Sequence, residues 1–322
     1  MKLIRCALGI AVFAALSFGA DAVLLGLVPA GARMVAGIDI DRARDSALGQ
    51  KILNEIKEEE SGFRKMVEQT GFDPRRDLRS VVMASTGKPG PASALVVVRG
   101  TFDITRITRM AESQGAVSSL YRGVTVWAPK PADRPSEGAV AFFDPTLAVF
   151  GGEAMVKAAI DAKLSGPTEL PAALANKLQQ WSSSNDAWFV STASFSELGV
   201  GKTGQNAILP GGLTVDSIKE AAAGVRFSQS VDISGDILTR SAQDATALAD
   251  VMRFLASMIR LNASKPGGEV ATAVADSLQV DVNGSSTHFS LLVPESALDQ
   301  MFLNTRSKRT ARASAQKSPA SR

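Results

Sequence analysis

The segment from Ser196 to Thr203 (SELGVGKT) carries the lysine and hydroxyl with which a phosphate-binding loop holds nucleotide phosphates and their magnesium ion. Ser196 stands where that loop needs its first glycine, and Gly204, Pro210, Gly211 and Gly212 follow closely. No helix N-terminus is therefore set to receive phosphates, and nucleotide chemistry is not expected. Asp39, Asp41 and Asp45 are spaced so that paired carboxylates could take calcium or move protons, but the glycine and terminal glutamate of a calcium loop are missing. Asp41 reads more simply as a helix cap and Asp39 as an outward strand residue. Arg75, Arg76 and Arg79 around Asp77 could hold an anion, although so charged a turn is expected to form a solvated cluster. His288 is the sole histidine, which excludes multi-histidine metal sites. No G-x-S-x-G turn presents a serine to it, so a serine triad is not expected. The sequence thus nominates no catalytic, cofactor-binding or metal-binding residue, and no cofactor.

The start of the chain is more informative. Lys2 and Arg5 precede an apolar stretch from Cys6 to Ala20, and Ala20-Asp21-Ala22 places small residues where a signal peptidase reads them. Residues 1–22 read as a signal peptide cut after Ala22, which places the mature chain in the periplasm or cell envelope. The rival is an uncleaved inner-membrane anchor over residues 6–28, since Val23 to Val28 resumes the apolar run. Against it stands Asp21, which costs about 2.5–3.5 kcal/mol at the centre of a membrane helix. Cys6, the only cysteine, precedes the apolar core and cannot carry a lipid anchor.

Charge is unevenly distributed. The whole chain carries +3, but residues 304–322 hold Arg306, Lys308, Arg309, Arg312, Lys317 and Arg322 with no acid, and the leader nets +1, so the body carries about −4. The tail is too polar to bury and is expected to be disordered, with weak attraction to an anionic membrane. An acidic body without basic-aromatic interleaving excludes nucleic acid. With 45% hydrophobic and 21% charged residues, the body has an ordinary globular composition.

The elements that would position any site repeat in order. A strand opens each half, Arg33 to Ile40 and Asp186 to Ala193. A strand pair follows, Ser80–Ser85 with Ala94–Phe102, then Ala222–Ser228 with Val231–Thr239. Next comes a helix, Ile104 to Gln114 or Ala242 to Leu261. Each half then shows a hairpin and a further helix; one hairpin turns at Asp144-Pro145 and the other at Asn283-Gly284. This predicts an α+β fold of two similar halves, 23–170 and 171–303, each an antiparallel sheet with helices on one face. A ferredoxin-like order fits residues 33–128, with Tyr121 to Trp127 as last strand. Asp41 should cap a helix running from Arg42 to about Gln69, with Lys57 to Glu60 on a solvated face. Ser241 should cap the long helix, whose stripe of Ala245, Leu248, Met252, Leu255 and Ile259 is widened by Val251, Phe254 and Met258. So broad an apolar face should be covered on more than one side.

Three stretches carry a resemblance: VPAGARMVAGIDIDRARDSALGQ from Val28, TGFDPRRDL from Thr70 and NDAWFVS from Asn185. They resemble exported bacterial proteins of unknown function, in which a P-A-x-A strand entry precedes the first helix and a G-x-D-P-x-x-D-L turn leads into the second strand. The resemblance implies export and one repeated architecture, and it transfers no catalytic residue. The expectation is an exported, non-catalytic binding or structural protein with an envelope protein as partner. The alternatives are an envelope hydrolase using carboxylates and a membrane-tethered subunit with an uncleaved anchor.

Overall fold

A computed structural model describes residues 22–46, 49–50, 61–88, 90–130, 138–194, 214–228, 230–263, 268–295 and 297. Ala20, the Lys57 to Glu60 run, the Gly201-Lys202-Thr203 segment and the tail lie outside the described residues.

Alternating and continuous apolar runs build one 12-stranded sheet rather than two. The strands are β1 (Met34–Asp39), β2 (Leu78–Ser85), β3 (Ala94–Gly100), β4 (Ala116–Tyr121), β5 (Val124–Pro129) and β6 (Ala139–Asp144). They continue with β7 (Leu147–Gly151), β8 (Ala187–Ser191), β9 (Ile218–Phe227), β10 (Val231–Thr239), β11 (Gln279–Asn283) and β12 (Ser286–Val293). Their order is β11-β12-β10-β9-β8-β1-β2-β3-β7-β6-β5-β4, and every described pairing is antiparallel. The fold is α+β, as the element pattern predicts.

The halves meet at β1 and β8. Met34 faces Ser191 and Ile38 faces Ala187. The flanking backbone bonds repeat the symmetry: Asp39 N donates to Asp186 O and Thr192 N to Arg33 O, both at 2.8 Å. The strand order is not ferredoxin-like. β1 pairs on one side with β2 and on the other with β8, so both of its edges are filled before β4 or β5 could join it. Tyr121 to Trp127 is also not one strand: Arg122 and Gly123 take φ of 47° and 83° and turn β4 back into β5.

The larger core lies on the face formed by Val35, Val82, Val97, Val149 and Val190. It is covered by α1 (Ala22–Leu25) and the turn after it, by α6 (Glu153–Ser165) and by α7 (Ala172–Ser184), through Leu24, Leu27, Ile160, Leu174 and Trp181. Each such fully buried aliphatic contributes about 1.5–3 kcal/mol of transfer free energy. Leu24, Leu27 and Val28 are thus part of the fold. No helix among the described residues is long and apolar enough to cross a membrane.

The remaining helices have local causes. α2 (Ile40–Asp45) is capped by Asp39, whose carboxylate accepts from Arg42 N, so Asp39 and not Asp41 is the cap. Instead of running on to Gln69 as one helix, the chain leaves α2 at Ser46, and α3 (Ser61–Thr70) is a separate element. The G-x-D-P-x-x-D-L turn forms α4 (Pro74–Asp77): Asp73 caps it, Pro74 occupies the first turn, and Asp77 Oδ2 accepts from Asp73 N at 2.8 Å. α5 (Ile104–Ser113) is capped by Asp103, and α8 (Ala242–Leu261) by Ser241. α8 packs on β10, β11 and β12, and α9 (Gly268–Asp276) on α8 and β12, where Val270 and Val274 lie against Val231, Val293 and Ala297, the smaller core. The apolar face of α8 is covered unevenly, with Ala256 the buried residue of its second half. Ala245, Leu248 and Val251 are buried, whereas Phe254, Leu255, Met258, Ile259 and Leu261 stand exposed, contrary to the expectation of cover on more than one side.

Candidate functional site

Where β1 ends, the chain must leave the sheet, and Asp39 turns it into α2. On the far side, α7 ends at Ser184 and Asn185-Asp186 lead into β8. Between these two corners lies a cleft of about 420 Å³, at the junction of the two halves. That volume lies within the range of small-molecule sites, about 300–1,000 Å³.

The floor is made by a large residue lying over small ones. Gly37, Trp188 and Gly224 are direct neighbours across β1, β8 and β9. A Cβ on Gly37 would collide with Cζ2 and Cε2 of Trp188, and a Cβ on Gly224 with the carboxamide of Asn185. Glycine at both positions is what allows these two side chains to lie on the sheet.

Four carboxylates surround the cleft, and three are used structurally. Asp39 accepts from Arg42 N at 3.0 Å, and Asp41 pairs with Arg44 Nη1 at 2.7 Å. Asp186, buried, takes Arg42 Nε at 3.1 Å on Oδ1 and Phe227 N at 2.7 Å on Oδ2. Asp45 alone has no partner among the described residues. The sequence reading thus placed Asp39, Asp41 and Asp45 in one locality, and the structure adds Asp186 from the other half.

The inner wall was not legible in the sequence. Ser182, Asn185 and Trp188 are 4%, 6% and 5% exposed. Asn185 Nδ2 donates to Trp181 O at 2.9 Å, which fixes its amide and leaves Oδ1 as the outward acceptor. Ser182 Oγ, Asn185 Oδ1 and Trp188 Nε1 have no hydrogen-bonding partner among the described residues, yet all three residues line the same cavity. None of these atoms is among those sealed from solvent without a partner. Buried polar atoms are normally bonded, so such a group facing a cavity points to a ligand or ordered water. Arg79, on the rim, is likewise without a partner among the described residues.

The other candidates resolve into structural roles. Arg75 pairs with Asp73 at 2.7 Å and Arg76 with Asp77 at 2.8 Å, so this cluster holds its own carboxylates rather than an external anion. Both carboxyls are held below the usual aspartate range, each chiefly by its arginine hydrogen bond. His288 lies on β12 opposite Asp236, with Nδ1 2.7 Å from Oδ1 and its side chain half exposed. Among the described residues no hydroxyl is bonded to the other ring nitrogen, so no triad forms there. No group of three or more metal-ligating side chains is found among the described residues.

No protein-family model and no curated protein matches the chain. Among solved structures it is similar to TP0453 in several crystal forms. Form III matches at 12% identity with a TM-score of 0.49, over 85% of this chain and 95% of that one. Form I gives 12% and 0.48 over 85% and 94%, and form IV 12% and 0.46 over the same shares.

Proposed function

We propose that this is an exported, non-catalytic binding protein of the cell envelope whose ligand sits in the junction cleft. The observation that carries the binding reading is the inner wall, where Ser182 Oγ, Asn185 Oδ1 and Trp188 Nε1, on three residues each more than nine-tenths buried, line one cavity without a hydrogen-bonding partner among the described residues. Catalysis is disfavoured by the carboxylates beside it. Acid-base cleavage uses a pair of available carboxyls, and three of the four here are committed to guanidinium or backbone N–H groups. Export is supported by the leader pattern of residues 1–22 and by core packing that starts at Leu24, immediately after the cut expected at Ala22. The basic tail adds loose attraction to an anionic membrane or to an acidic envelope partner.

Two measurements test this. Mass spectrometry of the intact chain from envelope fractions should read from Val23; a chain retaining Met1 would overturn the cleaved, soluble form in favour of the anchor. The protein purified without denaturation should release a small molecule on unfolding, and a Ser182→Leu variant, which fills the cleft, should release none. Equal release from that folded variant would place the ligand elsewhere.

A further inference from the structure

The chemistry of the inner wall specifies the class of ligand, and this inference rests on the binding reading above. Trp188 Nε1 only donates, Asn185 Oδ1 only accepts, and Ser182 Oγ does both. A carboxylate or a fully ionised phosphate ester offers acceptors alone. It would satisfy Trp188, face Asn185 Oδ1 with a like partner, and lie beside Asp39, Asp41 and the uncommitted Asp45. An ammonium offers donors alone and would leave the Trp188 N–H buried and unmatched, at the cost of an unsatisfied group. A hydroxyl donates and accepts at once, so a row of hydroxyls matches all three groups together.

The rim has the same character. Asp45 can accept from a hydroxyl and Arg79 can donate to one, and neither has a partner among the described residues. Counted along the cleft, Asp39, Asp41, Asp45 and Asp186 stand against Arg42, Arg79 and Arg99, so the walls are close to charge balance and favour a neutral guest. The cleft also continues. Arg42, Asp45 and Asp186 are shared with a neighbouring hollow of about 480 Å³ that extends to Arg226 and Asp232 at the β9–β10 turn. The two hollows together have room for a guest longer than one compact ring.

We infer that the junction cleft binds a neutral, hydroxyl-rich ligand, a short oligosaccharide, with one unit on the Ser182–Asn185–Trp188 wall and the next passing Asp45. The full mature chain, isotope-labelled on tryptophan nitrogen, tests this by the indole N–H signals of Trp127, Trp181 and Trp188, assigned with a Trp188→Phe variant. The probes are neutral glucose-, N-acetylglucosamine- and mannose-based trisaccharides, with inorganic phosphate and spermidine as comparators. At least one trisaccharide should shift the Trp188 signal at millimolar concentration and leave Trp127 unmoved. Ser182→Ala and Asp45→Asn should each weaken that titration about two- to tenfold, the range for one hydrogen bond.

Three results would overturn the inference. If phosphate or spermidine moves Trp188 and no sugar does, the ligand class is wrong while the binding site stands. If a trisaccharide binds with equal affinity to wild type, Ser182→Ala and Asp45→Asn, it sits elsewhere. If no probe moves Trp188 and the natively purified protein releases no small molecule, the binding reading fails with it. Hydrolysis of a bound trisaccharide would sustain the sugar and remove the non-catalytic description.

Discussion

Asp73 and Asp77 show how a motif that looks like a charged surface turn works as a structural lock. Both residues are buried, each faces one arginine, and Asp77 also accepts the Asp73 backbone N–H. Removing Asp77 leaves that buried N–H without its acceptor, so Asp77→Ala should cost about 1–3 kcal/mol at neutral pH, read from the urea midpoint. The pH dependence follows from the sign. A carboxyl held below its unfolded value of about 3.9 stabilises the fold fully above that value and loses its contribution as pH falls through the folded-state value. The midpoint gap between wild type and Asp77→Asn should therefore be constant near neutrality and close below about pH 4. A gap that persists unchanged at low pH would mean the arginine contact does not set it. Gly37 imposes a steric constraint on the cleft floor. Its Cβ-less backbone lies under Trp188, so Gly37→Ala must displace the indole, at about 1–3 kcal/mol, and should perturb the Trp188 indole resonance before any ligand is added. The turn itself was legible, because Asp-Pro spacing is local, but its buried carboxylates were not, since so charged a segment reads as a solvated cluster. The cleft wall was not, because Ser182, Asn185 and Trp188 meet Asp45 only through the β1–β8 pairing.

At the scale of elements, α8 separates what periodicity can say from what it cannot. Its limits and its Ser241 cap follow from the sequence, since capping and the apolar stripe are properties of the segment itself. Which part of the stripe is covered depends on how β10, β11, β12 and α9 lie against it: α9 reaches the last turn, where Arg260 bonds Asp276 and Ala275 O, yet Phe254, Leu255, Met258 and Ile259 stay exposed. Leu248→Ala should accordingly cost about 2–5 kcal/mol by melting or urea. Leu255→Ser, at a site 53% exposed, should change stability by no more than about 0.5 kcal/mol. Comparable losses from the two would show that the outer stripe is covered in solution. The β4–β5 hairpin was hidden for a different reason. Arg122-Gly123 is not the Asn-Gly pair that announces such a turn, although both residues take positive φ, and Arg122 is held by Asp161 at 2.8 Å.

For the whole molecule, the order of strands in the two halves could be read along the chain, but their fusion could not, because pairing of β1 with β8 joins segments far apart in sequence. That fusion redistributes the core. Leu174, Leu178, Trp181, Trp188 and Val190, all beyond residue 170, belong to the same buried cluster as Leu95, Val149 and Ile160. Among the described residues, the rest of the second half has the small cluster around Val231, Val293 and Ala297 and the buried face of α8, Ala245, Leu248, Ala249 and Val251. Local opening is least costly where few apolar contacts close it, so hydrogen exchange should show two tiers. Amides of β1, β2, β3, β7 and β8 should exchange only through global unfolding, and those of β11, β12 and α9 through a smaller opening with weaker urea dependence. The same asymmetry governs truncation. A chain of residues 23–170 lacks α7 and β8 and leaves the large core open on one side, so it should fail to melt cooperatively, whereas residues 23–194 restore those side chains and should melt as a unit. Cooperative melting of the shorter fragment would show that the first half closes its own core and that β8 docks on a finished domain.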